Sequence, residues 1–129
     1  ERAIAHVCAR LEHADGGVKK VALRALSQVA EVGDERALTS ICTRLEDADS
    51  SVREVAVKTL AQMAEKGDER AIIHVYACFE DASTSVRQAA VKALSQVAEK
   101  GDERTIINLE HADFRVREAA VTALAQVAE

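Results

Sequence analysis

The sequence predicts an all-α fold, an α-solenoid of about four stacked helix-turn-helix repeats wound as a right-handed superhelix. Three observations carry this. Gly33-Asp34-Glu35-Arg36 returns as Gly67-Asp68-Glu69-Arg70 and as Gly101-Asp102-Glu103-Arg104, a period of 34, and a fixed period of that size marks repeat architectures. Within each period apolar residues recur twice at three-and-four spacing, which lines one face of a helix. Helix-capping residues punctuate the units at matching places.

The repeats are 1–34, 35–68, 69–102 and 103–129, together one domain. Helices are expected at 2–12, 17–31, 35–46, 51–65, 69–80, 85–99, 103–110 and 115–128, with ends uncertain by about two residues. In the second repeat Asp34 is placed to cap a first helix whose apolar face holds Leu38, Ile41, Cys42 and Leu45. Asp49 is placed to cap a second helix carrying Val52, Val55, Ala56, Thr59, Leu60 and Met63. A carboxylate there accepts hydrogen bonds from first-turn amides that have no partner within the helix. Asp15, Ser83 and Asp113 hold the Asp49 position in the other repeats. Gly33, Gly67 and Gly101 are expected to end second helices in the left-handed conformation that only glycine adopts freely. Helices this short are marginal alone, so neighbouring repeats must supply the stability.

The fourth repeat lacks four residues between Asn108 and Leu109. Four residues turn a helix by about 400°, so Ile106 and Leu109 remain aligned. Either the first helix there is one turn shorter or a stretch is missing from the chain. Neither chain end carries the polar capping repeat of a free-standing solenoid, which suggests a segment of a longer array.

Composition narrows the class. Of 129 residues 48% are apolar, enough for a packed core. Three cysteines are too few, and odd in number, for a secreted disulfide scaffold. No apolar run approaches the ~18 residues of a membrane span. A soluble protein of a reducing intracellular compartment, cytoplasmic or within an organelle, is therefore expected. Net charge is -5, with 17 Lys+Arg against 22 Asp+Glu. No repeat is net positive and no aromatic platform interleaves the basic residues, so nucleic acid is a poor partner.

The stretch Asp47-Ala48-Asp49-Ser50-Ser51-Val52-Arg53-Glu54-Val55-Ala56 resembles the turn and second helix of HEAT repeats. It is most similar to the short variety named after phycobilisome lyases, and Asp81-Ala82-Ser83-Thr84-Ser85-Val86-Arg87 and His111-Ala112-Asp113-Phe114-Arg115-Val116-Arg117 match as well. His13 and His111 replace the first turn Asp, and Ser50 or Gly16 stands where the family often has proline. The resemblance implies an adaptable interaction scaffold whose second helices line the concave surface, with bilin lyases as one enzymatic branch.

Plotted at 100° per residue, the apolar arc of the second helix in repeat two spans about 200°. It runs from Val55 through Thr59, Val52, Met63, Ala56 and Leu60 to Ala64 and Val57, and Arg53 falls inside it. Lys19, Arg87 and Arg117 are equivalent to Arg53. A cation inside an apolar arc needs a partner, and the turn carboxylates or helix-end carbonyls of a neighbouring repeat are the expected ones.

The opposite arc is the expected partner-binding stripe. It comprises Lys20, Arg24 and Gln28 in repeat one, Glu54, Lys58 and Gln62 in repeat two, Gln88, Lys92 and Gln96 in repeat three, and Glu118, Thr122 and Gln126 in repeat four. Ser27, Glu31, Ala61, Glu65, Ser95, Glu99, Ala125 and Glu129 flank it. Taken residue by residue this is also what a solvated helix face looks like. Its cations alternate with Glu31, Glu54, Glu65 and Glu99, which predicts a modest salt dependence of binding.

Catalytic and metal signals are weak. His74 and Cys78 stand four apart but supply two ligands where a structural zinc needs four. No Ser-His-Asp frame or phosphate loop occurs, so no catalytic residue, metal or cofactor is expected. Cys8 and Cys42 read as small buried hydrophobes, Cys78 as partly exposed, and Tyr76 and Phe79 as core. The functional expectation is a non-enzymatic protein-interaction scaffold binding a protein on the concave stripe. The rivals are a bilin lyase-like protein or chromophore chaperone, and a structural subunit of a large assembly.

Overall fold

The computed structural model describes residues 2–12 and 15–97, and no strand occurs among them. Six helices follow in order: α1 (Arg2–Arg10), α2 (Gly16–Val29), α3 (Glu35–Arg44), α4 (Ser50–Met63), α5 (Glu69–Cys78) and α6 (Thr84–Val97). They pair as α1/α2, α3/α4 and α5/α6, one hairpin per repeat. The hairpins stack so that α4 lies between α2 and α6, and contact between successive second helices is far more extensive than between α1 and α3. The expected helices at 103–110 and 115–128, the short fourth repeat and its Glu118, Thr122 and Gln126 lie outside the described residues.

Four of the six described helices, α2 to α5, begin where a carboxylate can serve their free amides. Asp15 accepts from Gly17 N at 2.7 Å, Asp34 from Ala37 N at 2.9 Å, Asp49 from Ser51 N at 2.8 Å and Asp68 from Ala71 N at 3.2 Å. The apolar arc of α4 is buried on three sides: Val52, Ala56, Val57, Leu60 and Met63 are at most 2% exposed. Thr59 joins them because its hydroxyl donates to Val55 O at 2.8 Å, which removes the cost of burying it.

Four expectations need correcting. Gly33 and Gly67 do adopt positive φ, at 86° and 82°, but they do not terminate the second helices. α2 and α4 end at the extended residues Ala30 and Ala64, and the glycines sit in the turn beyond. There the Gly33 amide donates 2.7 Å to Met63 O, and the Gly67 amide 2.7 Å to Val97 O. Each glycine thus satisfies a helix-end carbonyl of the following repeat, a group that α4 or α6 cannot satisfy internally.

Ala61, expected on the open face, is buried, because α4 and α6 approach closely through Ala61, Ala89 and Ala93. Cys8 and Cys42 are only half-buried; Cys42 lies on the flank of α3 near Asp68 and Arg70. Cys78 is buried instead, in the place Arg44 holds one repeat earlier. A thiol is short enough to stay beneath the Arg53–Asp81 pair, whereas the longer Arg44 runs out to Asp47. Tyr76 is half-buried and meets buried Phe79 edge to face, with ring centroids 5.5 Å apart.

Candidate functional site: the second-helix track

Two sets of charged side chains lie on the second helices, and they do different work. The first joins the repeats. Arg53 donates from Nε to Asp81 Oδ2 at 2.9 Å and from Nη2 to Asp81 Oδ1 at 3.1 Å. Its Nη1 reaches back to Asp47 O at 2.8 Å, so one guanidinium ties its own turn to the next. One repeat earlier Lys19 makes the shorter version, Nζ to Asp47 Oδ2 at 2.8 Å, with Arg44 Nη1 3.5 Å from the same oxygen. Arg87 donates to Asp81 O and to Thr84 Oγ1. Lys19 and Arg53 do what the sequence predicts of them, bonding to the turn carboxylate of the next repeat, whereas these two Arg87 bonds stay within its own repeat.

The junction is also visible in the acidities. Burial pushes the Asp47 carboxyl up, but the Lys19 hydrogen bond, the Asp49 amide and the charges of Lys19 and Arg44 outweigh it and hold the pKa below the usual range. Asp81 behaves likewise: burial raises it, while Arg53, the Ser83 amide and the Arg87 charge bring it below normal. Burial pushes the Cys78 thiol up to about 11.

The second set is solvent-facing and lines two grooves. One, of about 510 Å³, runs between α2 and α4 past Lys20, Arg24, Ser27, Gln28, Glu54, Lys58 and Gln62. The other, of about 240 Å³, runs between α4 and α6 past Lys58, Ala61, Gln62, Lys92 and Gln96. Lys58 and Gln62 belong to both, so the grooves form one track across three repeats. Eight of the nine stripe residues within the described part line it, and Gln88 is exposed beside it. Arg24, Lys58, Gln62, Lys92 and Gln96 are exposed, while Lys20 and Glu54 are half-buried.

Among the described residues, which do not include Glu99, the expected alternation of charge does not line the walls. Glu31 and Glu65 fall beyond the ends of α2 and α4, where Glu65 lies over Gly33. The remaining wall glutamate, Glu54, is paired with Lys58 at 2.9 Å. A helical plot hides this, because angle alone does not say how far along the axis a residue lies.

Among the described residues no three His, Cys, Asp or Glu side chains converge on a point that could hold a metal. No described helix is long and apolar enough to cross a membrane.

No curated protein sequence matches the chain. A designed armadillo repeat protein is similar in structure, with a TM-score of 0.66 at 24% identity over 97% of this chain. The chain spans 64% of that protein's length, and at this identity the likeness is one of fold. The family model described as HEAT repeats matches residues 4–95, which includes α2, α4 and all but the last two residues of α6. The 34-residue hairpins, the turn carboxylates with their cations and this match lead to one conclusion: the chain belongs to the HEAT repeat family.

Proposed function

We propose that this chain is a non-enzymatic interaction scaffold that binds a protein segment along the α2–α4–α6 face. The observation that carries the reading is the continuity of the track: Lys58 and Gln62 wall both grooves, so a ligand crossing one groove meets the next. The closer packing of successive second helices supports a stack curved toward them, the reading in which that face is the concave one. The track is polar and open, as suits an extended segment rather than a small buried ligand.

A photo-crosslinking residue in place of exposed Gln62, compared with one in place of exposed Thr39 on α3, tests the reading in extract from the source cells. A discrete protein adduct is expected from position 62 and not from 39. Adducts from 39 alone would move the binding face to the first helices.

A second reading, a structural subunit of a larger assembly, is favoured by one surface. Val7, Val18, Val21, Ala22 and Ala25 line an apolar groove of about 560 Å³ on the flank of the first repeat, with Val21 63% exposed. That flank corresponds to the one by which α4 meets α2, and a further repeat or subunit fits it. Sedimentation of the full chain distinguishes a monomer from an assembly. The bilin-lyase reading has less support, since Tyr76 and Phe79 pack on each other at the end of α5 instead of lining the track.

A further inference from the structure

We infer that the segment bound along this track is acidic and extended, presenting one carboxylate about every third residue. The inference rests on the proposed binding face and adds the chemistry of the partner. The protein as a whole carries a net charge of -5, yet the track is lined by Lys20, Arg24, Lys58 and Lys92 against Glu54. An acidic protein with a basic channel attracts acid to that channel and repels it elsewhere.

The cations are also unequally engaged. Lys58 is bonded to Glu54, and Lys20 acts on the nearby Asp49 carboxylate. Arg24 and Lys92 form no ion pair among the described residues, although the structure is rich in such pairs. Charge left open on a face where the other cations are committed is available to a ligand.

Spacing follows from the repeat. Arg24, Lys58 and Lys92 are equivalent positions, so they recur once per second helix. Packed helices lie about 8–10 Å apart. A polyproline-II segment rises ~3.1 Å per residue with three residues per turn, which brings side chains to one side every ~9.3 Å. A flat β-strand returns to the same side every ~6.6 Å and falls out of register after one repeat. Glu or Asp at every third residue therefore meets Arg24, Lys58 and Lys92 in turn, while Gln28, Gln62 and Gln96 are left to bond the peptide backbone.

The test uses the full chain with two synthetic peptides of one composition, glutamates at every third residue in one and adjacent in the other. Fluorescence anisotropy is expected to show about tenfold tighter binding of the spaced peptide and about tenfold loss for K58E/K92E, the sum of a few exposed ion pairs. K58Q/K92Q is expected to lose less, and thermal melts of both variants should stay near wild type. Equal binding of the two peptides, or displacement of the spaced one by an oligonucleotide of equal charge, overturns the inference. Selection from a random peptide library separates the two levels. Binders that are lost in K58E/K92E but are not acidic would overturn the acidic partner and leave the binding face intact. Binders indifferent to K58E/K92E would overturn both.

Discussion

Arg53 grips Asp81 with two nitrogens while holding the carbonyl of Asp47 with a third, so a single side chain spans consecutive inter-helix turns. Both side chains are more than four-fifths buried. Lys19 does less at the preceding junction because an ammonium offers no fork to match a carboxylate.

Arg53→Ala should destabilise the chain by ~2–4 kcal/mol, since it strands the largely buried Asp81 carboxylate. A double-mutant cycle with Asp81→Asn should return a coupling of ~1–2 kcal/mol, read from urea melts. Additive losses would mean that the pair does not join the repeats.

Stability should fall in acid. The carboxyls of Asp47 and Asp81 have folded pKa values below their ordinary ones, so the folded state binds fewer protons than the unfolded state. Their contribution is complete above about pH 4, the unfolded value, and is lost as pH drops through the lower folded values. Urea midpoints measured from neutral pH downward should show this decline in the wild type and a flatter one in D47N/D81N.

Leu60→Ala should cost ~2–5 kcal/mol, because Leu60 is 1% exposed and its loss leaves a cavity in α4. Gln62→Ala, on the open track, should change stability by no more than ~0.5 kcal/mol. Equal losses in denaturant melts would show α4 to be rotated.

Gly33→Ala and Gly67→Ala should each destabilise by ~1–2 kcal/mol, the usual cost of a left-handed conformation for an L residue. At position 33 an added Cβ would also lie 3.0 Å from Glu65 Oε1. The same change at Gly17, whose φ is not positive, lacks that conformational cost. Thermal melts of the single variants compare the three.

Cys78 should resist alkylation in the native protein. Its thiol is buried and its pKa is pushed up to about 11, which leaves little thiolate near neutral pH. Mass spectrometry after timed exposure to iodoacetamide should find Cys78 modified far more slowly in buffer than in urea. Equal rates would place it at the surface.

Much of this architecture was legible in the residues themselves. The Asp34 and Asp49 caps, the buried arc of α4 and the inward role of Arg53 depend on spacing within one hairpin, and spacing is what a sequence displays. The burial of Ala61 and Cys78 depends on how closely α4 meets α6 and on what Arg53 covers, distances between repeats that no helical plot contains. The same holds for the track: its residues were identifiable, but the departure of Glu31 and Glu65 from it appeared only with the helix ends. The left-handed conformation of Gly33 and Gly67 is legible in the sequence, whereas their amide bonds to the next repeat leave no signal there.

The bond from the Gly33 amide to Met63 O joins residues about one repeat apart in the chain, as does the bond from Gly67 to Val97 O. Such ties keep relative contact order low, because the sequence separation they span does not grow as repeats are added. Loop closure therefore costs the same at every junction, and folding can start at any hairpin and spread to its neighbours. A duplicated repeat would lengthen the track by one groove while leaving the rate-limiting search unchanged.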